Sequence, residues 1–298
     1  MLLDCLHAIA AQSVPAGVEG HVIVVDNEPA PISELLVRRL AADCPFSVHY
    51  VHEPRRGIPQ ARNAVLERCR SLDVDWIAFT DDDCQVGREW LAKLLEAAIR
   101  HQADVIYGRR EFVFPGSSRF WCAPVDTGSY KEGQVLPFAA THNVLFAASL
   151  IAAGGDGGLA FDERLAHGED TDFFHRVACG GARIVYSHAP VVFETVSPER
   201  ATLGYQARRA YHYAASRSYF HRRYRGLRPA AKKLAARWVF QAPTAVARLL
   251  AAPLVWAFSA PASRELVIKG TARLAGALGA VAGLLGRDGN PYRTTDGY

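Results

Sequence analysis

The sequence predicts an α/β domain, in which strands alternate with helices, followed by a helical C-terminal tail. Short β-branched or apolar runs at His21–Val25, Ser47–His52 and Trp76–Phe79 alternate with stretches of helical periodicity, the pattern of strands joined by crossover helices. The third run delivers three consecutive carboxylates, Asp81, Asp82 and Asp83, to its C-terminal end, the end at which open α/β sheets bind ligands. Charge then divides the chain. Residues 1–199 hold 17 Lys/Arg against 27 Asp/Glu, net −10, whereas residues 200–298 hold 17 against 3, net +14. That asymmetry predicts a domain at 1–199 and an interacting tail at 200–298, with an anionic partner for the tail.

Taken in order, Leu2, Leu3, Leu6, Ile9 and Ala10 recur at helical spacing, so the chain opens in an amphipathic helix ending near Gln12 and Pro15. The residues from Met1 to Ala11 carry neither a basic segment nor a cleavage site of a secretory signal. The strand at His21–Val25 ends in Asp26-Asn27, a helix follows over Ile32–Ala42, and Ser47–His52 is the second strand. Glu53 to Pro59 form a Gly/Pro turn, after which a helix carries Arg62 and Asn63 in its first turns, where an anion is well met. The acidic strand comes next, then a helix over Glu89–His101. Val105 to Ala140 is aromatic, with Phe112, Phe114, Phe120, Trp121 and Tyr130 among Gly and Pro; such side chains either stack on a sugar or form the segment's own small core. The six cysteines show no C-x-x-C pair and no zinc spacing, which predicts reduced structural thiols.

Three adjacent carboxylates are costly unless something positive sits on them. A divalent cation carrying a phosphorylated ligand would meet that need, whereas an acidic turn after a strand is the plain structural alternative. The Glu169-Asp170 pair after Gly168 likewise has a plain role, since carboxylates at a helix N-terminus are favoured by the dipole.

The combination of VVDN, GIPQARNAV, WIAFTDDDC and GEDTDFFHRV, in this order and spacing over about residues 1–205, resembles the family 2 glycosyltransferases of the GT-A fold, and among them those that build succinoglycan-type bacterial exopolysaccharides. The resemblance implies a mixed central sheet flanked by helices and an inverting hexosyltransferase that uses a nucleotide-diphospho-sugar, a UDP-sugar, as donor. It also implies a divalent metal, Mg²⁺ or Mn²⁺, held by Asp83 and Asp81, with Asp81 alternatively on the ribose. Asp26, Asn27, Arg62, Asp82 and Glu169 would lie around the donor, and Asn143 near its sugar. Asn27 stands where the family more often has Asp, and its amide oxygen could still accept a base N–H. Asp170 would be the general base, with Asp172 or Arg176 holding the motif in place. Glu194 and His188 flank a strand at Val191–Phe193, near where relatives supply a His to the metal; a solvated strand end is the alternative for Glu194. Because the family's fold places a first strand before the opening helix, a further apolar strand is expected upstream of Met1.

Ser197-Pro198-Glu199 predicts a helix start, with the helix running to about Arg225. Between Arg200 and Arg237 stand eleven Lys/Arg and no acid, interleaved with tyrosines, which fits either a nucleic-acid arm or a membrane-surface helix. The apolar stretches Val239–Ala262 and Leu266–Gly286 favour the membrane, at the cytoplasmic face of a bacterial inner membrane and with no nucleic acid. Both approach spanning length, yet Arg248, Lys269 and Arg273 favour in-plane or re-entrant helices over one or two spans. A polyprenyl-linked glycan is the expected acceptor. Two other functions compete: a Mg-dependent nucleotidyltransferase, which leaves Glu169-Asp170 without a task, and a catalytically silent membrane scaffold.

Overall fold

A computed structural model of the protein describes residues 1–113, 130–152, 158–165 and 168–286. The chain forms two compact units. The first holds the described residues of Met1–Val113, Asp126–Arg164 and Glu169–Thr195; the second holds those of Leu165–Gly168 and Val196–Tyr298.

The first unit opens with α1 (Leu2–Ala10), β1 (His21–Asp26), α2 (Glu34–Ala41), β2 (Ser47–His52), α3 (Ile58–Leu72) and β3 (Trp76–Thr80). It continues with β4 (Cys84–Val86), α4 (Trp90–His101), β5 (Val105–Val113), β6 (Asn143–Ala147), α5 (Ser149–Ala152), α6 (Glu169–Cys179) and β7 (Ile184–Thr195). β1 and β2 pair in parallel across α2, from His21–Ser47 to Asp26–His52. The other strands form a mixed sheet in the order β3-β6-β5-β7-β4, with β5 parallel to β7 and the remaining pairs antiparallel. Among the described residues the two sheets share no strand, so β3 is an edge of the larger one.

Alternation explains how β3 sits between two layers. Ile77 and Phe79 face a core with Leu66 of α3 and Phe173 and Phe174 of α6, while Trp76 and Ala78 face a second core built by Trp90, Leu94 and Ala98 of α4. Val22, Val24, Leu6 and Val37 form a third, smaller core under β1. Gln12 ties α1 to the strand-to-helix turn before α4: its Nε2 donates to the Gly87 carbonyl at 2.8 Å and its Oε1 accepts the Leu91 amide at 3.1 Å.

Several local expectations are corrected. The irregular aromatic segment begins with nine residues of strand, because Val105, Ile106 and Tyr107 are fully buried between β6 and β7. Tyr130 packs its ring against Tyr107, Phe138 and Tyr186, the core reading of that aromatic, while Phe114, Phe120 and Trp121 lie outside the described residues. β4 pairs only three residues and left no run long enough to read. Among the described residues, Cys5, Cys44, Cys69, Cys84 and Cys179 are free thiols.

The second unit is helical: α7 (Leu203–Arg225), α8 (Leu227–Ala236), a wide π-helical turn at Arg237–Gln241, α9 (Ala242–Trp256) and α10 (Ala260–Leu284). Ser197-Pro198 starts only a short 3₁₀ turn, Pro198–Ala201; the cap of α7 is Thr202, whose hydroxyl accepts the Tyr205 amide at 3.3 Å. Pro243 falls in the first turn of α9, where its missing N–H costs no helical bond. Small residues allow α10 to close on α7. A Cβ at Gly279 or Gly283 would run into the backbone carbonyls of Tyr211 and Ala215, so only glycine permits this approach. Leu227–Trp256 and Ala260–Leu284 are each long and apolar enough to cross a membrane.

Candidate active site

Three consecutive carboxylates leave β3 where its ladder with β6 ends at Thr80–Asn143. Asp82 is exposed, while Asp81 and Asp83 are partly buried. β4 and β7 close the place from the side: Cys84 pairs with Glu194, and the Asp83 carbonyl accepts the Thr195 amide at 3.3 Å.

Arg62 organises what lies around them. Gly57, at φ +147°, turns the chain into α3, and its amide donates to Asn27 Oδ1 at 2.8 Å. One turn into α3 the side chain of Arg62, 14% exposed, pairs with Glu169, 6% exposed, and its second guanidinium nitrogen stands 3.8 Å from Asp81 Oδ1. The acidic end of β3 and the start of α6 therefore meet across one guanidinium. Gly168, at φ +78°, makes the turn that presents Glu169 and Asp170 at the start of α6. Asp170 Oδ1 accepts the Thr171 amide at 2.6 Å. Asp172 is fully buried and accepts from Arg176 Nε at 2.8 Å, and Arg176 also donates to the Ala160 carbonyl, which fastens this helix to the preceding loop.

Sequence reasoning missed a second buried ion pair. Arg110 of β5 donates to Glu194 of β7 at 2.7 Å, with 11% and 12% of the two side chains exposed, and the guanidinium lies over the Phe112 ring. Glu194 is thus no solvated strand end. Eighty-four residues separate the partners, and their pairing follows only from the parallel β5–β7 ladder, which places Arg110 beside Val192.

Asp26 and Asn27, expected around the donor with Asn27 at the base, are held by the protein. Asp26 accepts from the Ser33 amide at 2.7 Å and the Tyr50 hydroxyl at 2.9 Å; burial alone would raise its pKa, but these donors and the Glu28 amide outweigh it and leave the carboxyl below its ordinary range. Asn27 donates to the carbonyls of Glu53 and Arg55, both at 2.8 Å, so its amide staples β1 to the turn before α3. The expectation that Asn143 faces a donor sugar is corrected. Its side chain is fully buried, accepts from Trp90 Nε1 at 2.8 Å and donates to the carbonyls of Arg109 at 2.7 Å and Pro190 at 3.0 Å. The amide satisfies strand carbonyls inside the sheet.

Charge crowding gives the site its electrostatic character. Asp81 keeps 42% of its side chain exposed, yet its carboxyl is pushed up to about 6: desolvation raises it most, Arg62 opposes, and Asp83 and Glu194 raise it further. Burial also pushes Glu169 up to about 7, with Arg62 opposing and Asp170 adding to the rise. Among the described residues no three His, Cys, Asp or Glu side chains converge to hold an ion by themselves. The donor set fits a hard cation all the same, since Mg²⁺ takes one or two carboxylates and completes its shell with water and phosphate oxygens. A cation against Asp81 and Asp83 would offset the desolvation, and the neighbouring Asp83 and Glu194 charges, that raise Asp81.

The sign of the pH dependence follows. A carboxyl raised from 3.8 to about 6 holds its proton more tightly in the folded state, so its contribution to stability falls as pH rises through that window and stays low above it. Asp81→Asn is therefore expected to melt above the wild type at pH 8 and level with it at pH 4 in thermal denaturation without divalent ions. A variant less stable than wild type at pH 8 would show that the Arg62 contact outweighs the crowding.

Comparison with known proteins bears on what this arrangement serves. The sequence model described as "Glycosyl transferase family 2" matches residues 1–153. The chain is 34% identical over 219 residues to the succinoglycan biosynthesis protein ExoM of Rhizobium meliloti, covering 70% of this chain and 68% of that protein. It is 23% identical over 187 residues to the glycosyltransferase AglE of Haloferax volcanii, covering 62% and 59%. Among solved structures, S. aureus TarS 1-349 in complex with UDP-GlcNAc matches with a TM-score of 0.51 at 19% identity, over 70% of this chain and 61% of that one. A second S. aureus TarS structure matches with the same score, and this chain spans 36% of the length of that chain.

Proposed function

Since the chain belongs to glycosyl transferase family 2, we propose that it transfers a sugar, with inversion, from a UDP-sugar to a hydroxyl of a growing, lipid-linked exopolysaccharide at the cytoplasmic face of a bacterial membrane. One observation carries the site assignment: Arg62 stands between the acidic end of β3 and the Glu169-Asp170 start of α6, which joins the two halves that a displacement needs. The relative's name, succinoglycan biosynthesis protein, supports the exopolysaccharide context. The TarS complex with UDP-GlcNAc supports a uridine diphosphate donor on this fold.

In this reading Asp83 and Asp81 would hold a divalent cation, Mg²⁺ or Mn²⁺, which would supply neutralisation of charge on the diphosphate. The Asp170 carboxylate takes the acceptor's proton as the acceptor oxygen forms its bond to the anomeric carbon. On the opposite face the bond from that carbon to the diphosphate oxygen breaks and its electron pair leaves with UDP. Arg62 exchanges part of its contact with Glu169 for the diphosphate, and Arg110 holds Glu194 in place beside Asp83. Asp26 and Asn27 shape the floor beneath the base rather than reading it, since their polar atoms hold the 27–33 and 53–57 turns.

Asp83→Asn tests the assignment. In calorimetric titration with UDP and Mn²⁺, the variant is expected to bind UDP at least about tenfold more weakly than wild type in the presence of metal, and equally when metal is chelated. Wild-type affinity of the variant in Mn²⁺ would remove Asp83 from the metal.

A further inference from the structure

The α9–α10 hairpin has two sides. Ala242, Ala245 and Ala252 of α9 are buried, and Leu249 of α9 packs on Gly270 of α10. One exposed flank runs from Val239 in the π-helical turn to Val246, Leu250 and Leu254 of α9, exposed by 64%, 45%, 72% and 72%. Within α9, Pro243, Val246, Leu250 and Leu254 follow at steps of three, four and four, a stripe of about 17 Å at 1.5 Å per residue. The opposite flank carries Gln241, Thr244 and Arg248.

α10 divides in the same way. Glu265, Lys269 and Arg273 recur every fourth residue and are exposed, with Lys269 paired to Glu265. Val267, Leu274 and Leu278 occupy the other flank, Leu278 at 56% exposure. The hydrogen bond from Arg273 Nη1 to Thr244 Oγ1, 3.0 Å, shows which flanks lie together: the polar side of α10 adjoins the polar side of α9. For two antiparallel helices sharing one seam, the apolar flanks then also lie on one side. The turn between the helices adds Trp256 and Phe258, 67% and 92% exposed, at the hairpin's end.

A hairpin that crossed a bilayer would place Arg248, Glu265, Lys269 and Arg273 at hydrocarbon depth. One that lies flat keeps the exposed Glu265, Lys269 and Arg273 in water and buries only the stripe. Resting on the reading that the tail associates with a membrane, we propose that the α9–α10 hairpin lies in the plane of one leaflet of an anionic bilayer, with Val239, Val246, Leu250 and Leu254 turned into the acyl chains and Lys269 and Arg273 turned to water. Charge complementarity selects anionic lipid, since eleven cations without an acid precede the hairpin between Arg200 and Arg237.

The full chain, added to preformed vesicles of phosphatidylcholine and phosphatidylglycerol in equal parts, tests this with single introduced thiols and a membrane-impermeant maleimide. Labelling is read above the background of the native thiols, of which Cys179 is exposed. Vesicles are expected to slow labelling of Leu250→Cys by about tenfold or more, as burial in the interface demands, while Lys269→Cys labels at its vesicle-free rate. Leu250→Asp with Leu254→Asp is expected to lower vesicle binding by about tenfold or more. Protection of Lys269→Cys would overturn the flat orientation while leaving membrane association intact, and so would an unslowed Leu250→Cys on vesicle-bound protein. Failure of the wild type to sediment with these vesicles would overturn membrane association itself.

Discussion

Asp170→Asn is expected to lower kcat by about 10²–10⁴, the usual contribution of a positioned general base, with UDP-sugar affinity unchanged. The side chain starts α6 beside Glu169, and its Oδ1 bond to the Thr171 amide is one that asparagine's carbonyl oxygen can also make. The substitution therefore keeps the helix start and removes only the basicity. Single-turnover rates together with equilibrium donor binding separate the two effects. Wild-type turnover in the variant would reduce Asp170 to a helix-capping residue, and a parallel loss of donor affinity would place it on the donor side.

Arg62→Ala is expected to cost about 3–5 kcal/mol of stability, because breaking a buried ion pair leaves the surviving charge without compensation. Glu169 is 6% exposed and would face Asp81 and Asp170 with no cation between them. Urea denaturation at pH 8 reads the loss, which should shrink at pH 5, where protonation of Glu169 and Asp81 relieves the repulsion. That direction follows from carboxyls pushed up to about 7 and about 6. Glu169→Gln added to Arg62→Ala should restore much of the stability at pH 8 but not donor affinity. Equal stability of Arg62→Ala and wild type would show that the pair contributes nothing to the fold.

The sequence made the backbone of the first unit readable where local pattern decides structure. The alternation in His21–Asp26, the apolar run Trp76–Thr80 and the periodicity of α3 and α4 each announced their element because burial on one or both faces imposes a period. Long-range pairing imposes no such local signal. β4 has three residues and exists because Cys84 and Val86 pair with Glu194 and Val192. β5 hid among aromatics because its first residues are buried on both faces and do not alternate. The same limit governed the site. Motifs singled out Asp81, Asp83, Arg62, Glu169 and Asp170, and the structure sets Arg62 against Asp81 and Glu169, but the Arg110–Glu194 pair needed the β5–β7 register. Asn143 misled because a polar residue ending a short strand looks the same in sequence whether its amide meets a ligand or two strand carbonyls.

In the tail, composition announced apolar helices, and charge asymmetry is what the proposal of an anionic partner starts from. Which flanks lie together was not readable, because it depends on the seam that Ala245, Ala252 and Gly270 form and on the Arg273–Thr244 contact across it.

The most direct test of the central claim is proton NMR of the full chain, bound to anionic vesicles and supplied with UDP-GlcNAc and other α-linked UDP-sugars in Mg²⁺, recording which anomer first appears as the sugar passes to acceptor or to water and UDP is released. The account predicts metal-dependent release of UDP with the β-anomer formed first from at least one donor. The α-anomer formed first, or release of pyrophosphate in place of UDP, would contradict it.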